Sequence, residues 1–446
     1  MQPSDFVDRI WRYSHTFDHA GKLIKLASNG RIVGYDHPNE RRWEIRGDVL
    51  LFLAESGRDT AAFKWVPHPL NRVVLGGNLV GDPAAGIKTM LQSLPEDKEF
   101  VRKSAYDMAE AVHSFAAETR VEALPHIFGT HHENAYTAKQ IDLIELSDVT
   151  LRTPYAVIEK DGRIAGESLF HFPFYRETSM ADGGDGHAYW MRDVEPTLEI
   201  DTALHAFGGV SENIYHWLHF FVAKMNSGLL DLWKGDRPVV LLPAFTAPYH
   251  AASAEVVAEA LGLKVVRISG NGSVKVRKLL FPHQRGSEGL DIHPVTVEAF
   301  RTLKQRYQGP GAYASRVYIS RSDTQNRRLV NEEGIESYLK QRGFEIVSFT
   351  GKDLAFQINT MASADYIVGP HGAGLTNVIF CKPGARILEF QSPNHFNWCM
   401  GRSASLAKAY YGAVVGEMRP EVSSDAYYVQ WDKITKAVDD LLKPAS

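Results

Sequence analysis

The sequence predicts an α/β protein built on parallel sheets covered by helices, with a β-rich module ahead of them. Two patterns carry this reading. From about residue 200 to 400, short β-branched runs alternate with helical segments, as in parallel strands joined by crossovers. From about residue 8 to 75, apolar runs are separated by turn dipeptides such as Asn29-Gly30 and Pro38-Asn39, which suits antiparallel strands. A third observation puts chemistry on this frame: Gly369-Pro370-His371-Gly372-Ala373-Gly374 joins an apolar run to a helix start.

Bulk properties narrow the class. At 446 residues the chain is too long for one ordinary domain. Its 44% hydrophobic and 23% charged residues are those of a globular enzyme, and a net charge of −4 gives no general attraction to nucleic acid. Two cysteines, Cys381 and Cys399, imply no disulfide framework and fit a reducing cytosol. The charged N-terminus reads as no secretory signal, and no apolar run reaches the roughly 18 residues of a membrane span. The expectation is a cytoplasmic protein that at most docks peripherally on a membrane.

In chain order, the runs at 22–26, 31–35, 43–45 and 49–53 make the strands of the first module. Trp11, Trp43, Phe52 and Trp65 supply either its core or a carbohydrate-binding face. A helical pattern follows over 98–119. His126, His131, His132 and Glu133 match no usual zinc spacing, so no metal is expected there. Residues 155–164 read as a hairpin turning at Asp161-Gly162, and 179–186 as a glycine-rich surface loop or mobile flap. Helices are expected at 212–225, 251–261, 296–308, 331–342, 354–363 and 432–442. Strands are expected at 239–242, 264–268, 279–281, 316–319, 345–349 and 366–368.

The glycine turn is a ready anion site, since glycines let the backbone approach a ligand and a helix N-terminus carries partial positive charge. The same turn could serve only to pack the helix on the sheet. His371, Thr376 and Asn377 ring its mouth with polar groups, and Asn377 stands where a dinucleotide fingerprint has its third glycine. That favours a nucleotide diphosphate over NAD. Arg321 follows a strand end and carries a fork that grips phosphate, with Arg327 and Arg328 nearby. Glu389 ends the next strand, placed either for ribose hydroxyls or to pair with Arg386. On the 212–225 helix, Glu212, His216 and His219 share one face at spacings of four and three. His216 is the candidate base, oriented by Glu212, or else a support for the diphosphate.

Three blocks carry a family resemblance. Val368-Gly-Pro-His-Gly-Ala-Gly-Leu-Thr-Asn377 with Phe380, Pro383-Gly384 and Leu388-Glu389 resembles the signature of glycosyltransferase family 61. Tyr318-Ile-Ser-Arg321, Arg328 and Asn331-Glu332-Glu333 resemble its second block, and Asn213-Ile-Tyr-His216-Trp217 its N-terminal helix. The resemblance spans about residues 145 to 400. It implies a GT-B-like pair of Rossmann-type domains facing a cleft, and donor contacts from Arg321, Arg328, His371, Gly372, Gly374, Leu375, Thr376, Asn377 and Glu389. The expected divisions are an accessory module at 1–115, an acceptor-side domain at 116–260, a nucleotide-sugar domain at 261–425, and a closing helix at 426–446 that returns toward the acceptor side.

The activity implied is inverting transfer of a sugar from a nucleotide sugar to an oligosaccharide or lipid-linked glycan, in bacterial surface polysaccharide synthesis. No Asp-x-Asp occurs, the nearest pattern being Asp182-Gly-Gly-Asp185, so metal independence without a cofactor is expected. A hydrolase reading lacks the Gly-x-Ser-x-Gly elbow it needs. A non-catalytic nucleotide-sugar or glycan-binding protein is the alternative.

Overall fold

The computed structural model describes the chain apart from residues 8, 16–21, 35–36, 38–39, 67–73, 81, 93–96, 154–155, 170–180, 183–187, 193–194, 210–212, 244–246, 269–272, 287–289, 325, 424 and 444–446. Glu212, most of the 179–186 loop and the Asp182–Asp185 pattern beyond Asp182 lie outside the described residues.

The first module is an eight-stranded antiparallel meander whose first strand, Ile10–His15, pairs with its last, Asp82–Gln92. A bridge between Arg31 and Arg42, with the Trp43 amide bonded to the Gly30 carbonyl at 2.8 Å, joins the third strand to the fourth. The sheet thus closes into a barrel, which leaves no open edge to recruit another chain. Trp11, Phe52 and Phe63 are fully buried inside and Trp43 nearly so. Trp65 was expected with them but is 44% exposed, stacked on Phe6 at 5.4 Å between ring centres.

The second layer is an eleven-stranded mixed sheet. Ser273–Gln284, Leu198–Leu204, Val239–Pro243 and Lys264–Ile268 run parallel, covered by the Pro248–Ala260 helix, as expected from their alternation. The purely parallel expectation fails at Ile141–Arg152, which pairs antiparallel with Ser273–Gln284 over twelve residues of strand. The helix expected over 98–119 is also absent. Asp97–Lys103 and Ala111–Ala116 are strands separated by a short Ala105–Met108 helix. Pairing with neighbouring strands outweighs the helical propensity of this Glu- and Ala-rich stretch. Because Ser273–Gln284 belongs here, the chain leaves this sheet after Gln284 and not at 261.

The third layer is a five-stranded all-parallel sheet in the order Glu345–Val347, Arg316–Ile319, Tyr366–Pro370, Arg386–Gln391, Tyr410–Val415. One face carries Ile358, Met361, Val378 and Met400 into a core shared with the mixed sheet. The other is covered by Ile335 and Leu339 and by Ile434, Val438 and Leu441 of the closing Trp431–Leu442 helix. That helix was expected to return toward the acceptor side. It docks instead on its own sheet, where the Arg386 guanidinium donates to the Leu441 carbonyl at 2.8 Å.

A seam ties the N-terminal half to this sheet. The Thr130 and His131 amides bond the Ala413 carbonyl at 2.8 and 3.0 Å, covering the outermost strand. Beside it, Arg402 grips Glu133 with two bonds of 2.9 and 2.8 Å and also pairs with Asp291. Arg402→Ala strands two largely buried carboxylates, which costs about 2–4 kcal/mol. A fall of several degrees in the thermal midpoint is expected; an unchanged midpoint would show the clamp to be idle.

Candidate functional site

In the five-stranded sheet the chain moves first to one side of Arg316–Ile319 and then, through Leu354–Ser363, to the other. The reversal point lies between the carboxyl ends of Arg316–Ile319 and Tyr366–Pro370. Open α/β sheets bind ligands at such points. Arg321 follows the first of these strands and the His371–Gly374 turn follows the second. A cleft of about 860 Å3 opens there, with Ile214, Pro248 and Tyr249 on one wall and Arg321, Thr350, Gln357 and Gly374 on the other.

Arg321 is fixed at both ends. Its amide donates to Glu332 Oε1 at 2.7 Å, and its guanidinium donates to the carbonyls of His371 and of Asn326, the latter at 3.2 Å. Glu332 is buried, which raises its pKa, while hydrogen bonds from the Arg321 amide and Tyr318 oppose the shift. A Cβ at Gly372 would lie 2.3 Å from Arg321 Nη1, so glycine here is what admits the guanidinium over the turn. A Cβ at Gly374 would meet the Ile319 side chain at 2.9 Å. Gly374 therefore lets the turn pack against the end of the Arg316–Ile319 strand, and Gly372 leaves room for the guanidinium.

His371 is 7% exposed, and its Nδ1 lies 2.7 Å from Glu389 Oε1. Glu389 is fully buried, and its Oε2 accepts from Gln391 Nε2 at 3.0 Å and from the Tyr411 hydroxyl. A carboxylate only accepts, so His371 donates from Nδ1 and leaves Nε2 on the side of Asn397, 3.4 Å from its amide nitrogen. Glu389 thus neither opens to the cleft for a ribose nor pairs with Arg386, whose guanidinium is taken by the closing helix.

Around this pair stand another histidine and two arginines. His395 lies 5.4 Å from His371 between ring centres. Burial, reinforced by Arg327, His371 and Arg321, pushes the His395 pKa down to about 4. Burial and the nearby Arg321 also lower that of Arg327. Arg328, expected in the site, is exposed at the surface, and Arg327 is the arginine that couples to Arg321. A positive φ of 53° at Arg327 turns the chain between the two.

Leu375, Thr376 and Asn377 are buried in a 3₁₀ helix, Ala373–Phe380. Asn377 Nδ2 donates to Gln357 Oε1 at 2.9 Å, and Gln357 itself lines the cleft. The expected 212–225 helix is present but irregular. Ile214–His216 is α-helical, Trp217–Phe221 is a π turn and Val222–Lys224 is 3₁₀. A π turn breaks the three-and-four spacing on which the shared face of His216 and His219 rests. His216 is half-buried, His219 is 2% exposed and accepts or donates toward Ser403 Oγ at 3.3 Å. The cleft is reached by Ile214, at the start of this helix.

Asp323 was not anticipated. It lines the cleft, and its carboxyl is held below the usual range by hydrogen bonds from Thr350 and Ser348, against burial. The residues after Glu345–Val347 also line it, which the strand-end rule applied to that strand would have flagged.

The chain is thus a mixed α/β protein with a glycine-walled cleft at a sheet's reversal point, lined by Arg321 and Lys352 and by Asp323 and Asp353. The family model described as Glycosyltransferase 61 matches residues 214–388 of the chain. A 111-residue stretch is 30% identical to a beta-1,2-xylosyltransferase, XAX1, of Oryza sativa subsp. japonica. The stretch covers 25% of this chain and 18% of that relative, so the chain spans under a fifth of the relative's length.

Proposed function

We propose that the protein is an inverting glycosyltransferase that moves a sugar from a nucleotide-sugar donor to a glycan acceptor, with the diphosphate held by protein cations in place of a metal. The observation that carries this is Arg321 in the cleft beside the glycine turn, its guanidinium on the His371 carbonyl and Arg327 close behind it. The family match and the transferase name of the relative support the reaction class. A GT-B-like arrangement agrees with a cleft walled by one α/β layer on each side.

In this reading the leaving diphosphate lies across the turn, gripped by the Arg321 fork and facing first-turn amides of the following helix. His371 meets a phosphate oxygen through Nε2, its ring held by the buried Glu389. As the glycosidic bond breaks, negative charge grows on that oxygen, and fixed donors stabilise it at no cost in reorganisation. Asp323 offers the open carboxylate for ribose hydroxyls that Glu389 does not. His216 remains the proposed acceptor-side base, with Glu212 as its partner. A cytoplasmic enzyme of surface-polysaccharide synthesis, acting on an oligosaccharide or lipid-linked glycan, is the proposed setting. No helix among the described residues is long and apolar enough to cross a membrane.

A thermal-shift screen with nucleoside diphosphates, followed by transfer assays with the matching sugar nucleotides, tests the reading. Ligand at a hundredfold its Kd adds about 2.7 kcal/mol, an easily read rise in midpoint. Absence of any shift together with absence of transfer would overturn it. Binding without turnover would favour the nucleotide-sugar-binding alternative.

A further inference from the structure

The distorted helix that reaches the cleft through Ile214 borders a second cavity at its other end. This cavity holds about 90 Å3 and is walled mainly by apolar side chains, among them Phe115, Ile141, Leu229 and Val295, with Lys224, Glu167, His219, His283, Gln284 and Thr296 as its polar groups. Lys224 makes no hydrogen bond or ion pair among the described residues; its ammonium lies over the Phe221 and Phe281 rings at 5.4 and 5.2 Å. His219, 2% exposed, also lines the cavity and has no partner at Nδ1. The Glu167 carboxylate at the wall is already engaged by Ser104 Oγ at 2.6 Å and the Ala105 amide at 2.7 Å. Lys224 thus borders a largely apolar cavity with no direct ion-pair partner among the described residues, a cost that an entering anion would relieve.

We propose that this cavity is a binding site for a short aliphatic monocarboxylate, its charged end on the Lys224 ammonium and its tail against the apolar walls. Chemistry selects this class. Phosphate keeps several oxygens that these walls cannot hydrogen-bond, whereas a carboxylate needs few donors and its alkyl chain gains from burial. The volume is below the roughly 150 Å3 that accommodates benzene, which limits the tail to a few carbons.

Burial alone lowers the Lys224 pKa to about 7. The histidines facing it, His205, His219 and His283, are pushed down to about 3, 3 and 4, so they stay neutral above pH 5.5. The ligand needs the ammonium form. Affinity therefore holds up to about pH 7 and falls as pH rises through it, approaching tenfold per unit.

The test is calorimetric titration of the full chain with butyrate, n-butanol and inorganic phosphate at pH 6 and 8. Saturable butyrate binding, tighter at pH 6 and at least tenfold tighter than butanol or phosphate, is the expected result. Lys224→Met keeps the packing over both rings and should lose that binding at least tenfold. Equal butyrate affinity in Lys224→Met, or none in the wild type, overturns the site. If Lys224→Met does not fold, mild acetylation of the wild type followed by mass spectrometry decides: butyrate slows modification of Lys224 if the site is real, and leaves it unchanged if not.

Discussion

Arg321→Ala is expected to lower sugar transfer by about a thousandfold, the scale of losing one fixed donor at a site of developing charge. The melting profile should change little, because the side-chain bonds lost are two contacts to backbone carbonyls, those of His371 and Asn326, while the Arg321 amide keeps its bond to Glu332. Arg321→Lys keeps the charge but not the fork, so it should recover only part of the activity. Gly372→Ala approaches the same end from the backbone. Its new Cβ falls 2.3 Å from Nη1, and the guanidinium, as the free end of a flexible side chain, moves aside. Both variants should weaken nucleoside diphosphate binding. Transfer within tenfold of wild type in Arg321→Ala would remove this residue from the leaving-group site.

How much of this was readable depended on the range of the interactions. Much of the all-parallel sheet was legible because strands buried on both faces carry short apolar runs, as at Arg316–Ile319 and Tyr366–Pro370, whereas the outermost strand, Tyr410–Val415, was not anticipated. The glycine turn was legible because close approach demands particular residues at particular positions. The His371–Glu389 pair was not, since it follows from a parallel register that sets Gly369 beside Glu389, eighteen residues away from His371. Closure of the barrel was hidden likewise, resting on the return of Asp82–Gln92 to Ile10–His15. The irregular helix at Ile214–Lys224 was hidden for a different reason: its apolar residues are dense enough to satisfy either an α or a π period. That Arg327 turns toward Arg321 while Arg328 is exposed depends on one backbone angle that no side-chain pattern encodes.

Glu389→Gln is expected to reduce kcat by about a hundredfold and to weaken nucleoside diphosphate binding with it, because it acts through the ring proposed to meet the phosphate. The substitution keeps volume and shape at a fully buried position, so packing is preserved. What changes is the direction of one hydrogen bond. Tyr411 and Gln391 both donate to Oε2, which obliges the new amide to turn its oxygen toward them. Its NH2 then faces His371 Nδ1, which must accept where it formerly donated. The ring then carries its proton on Nε2 and no longer has a carboxylate behind it facing the leaving phosphate. Ring nitrogen NMR separates this from a loosened fold: Nδ1 should change from protonated to bare, with the melting point held. A thermal midpoint that drops with no change in the Nδ1 signal would make Glu389 a packing residue. A kcat within threefold of wild type would show that His371 needs no orientation from below.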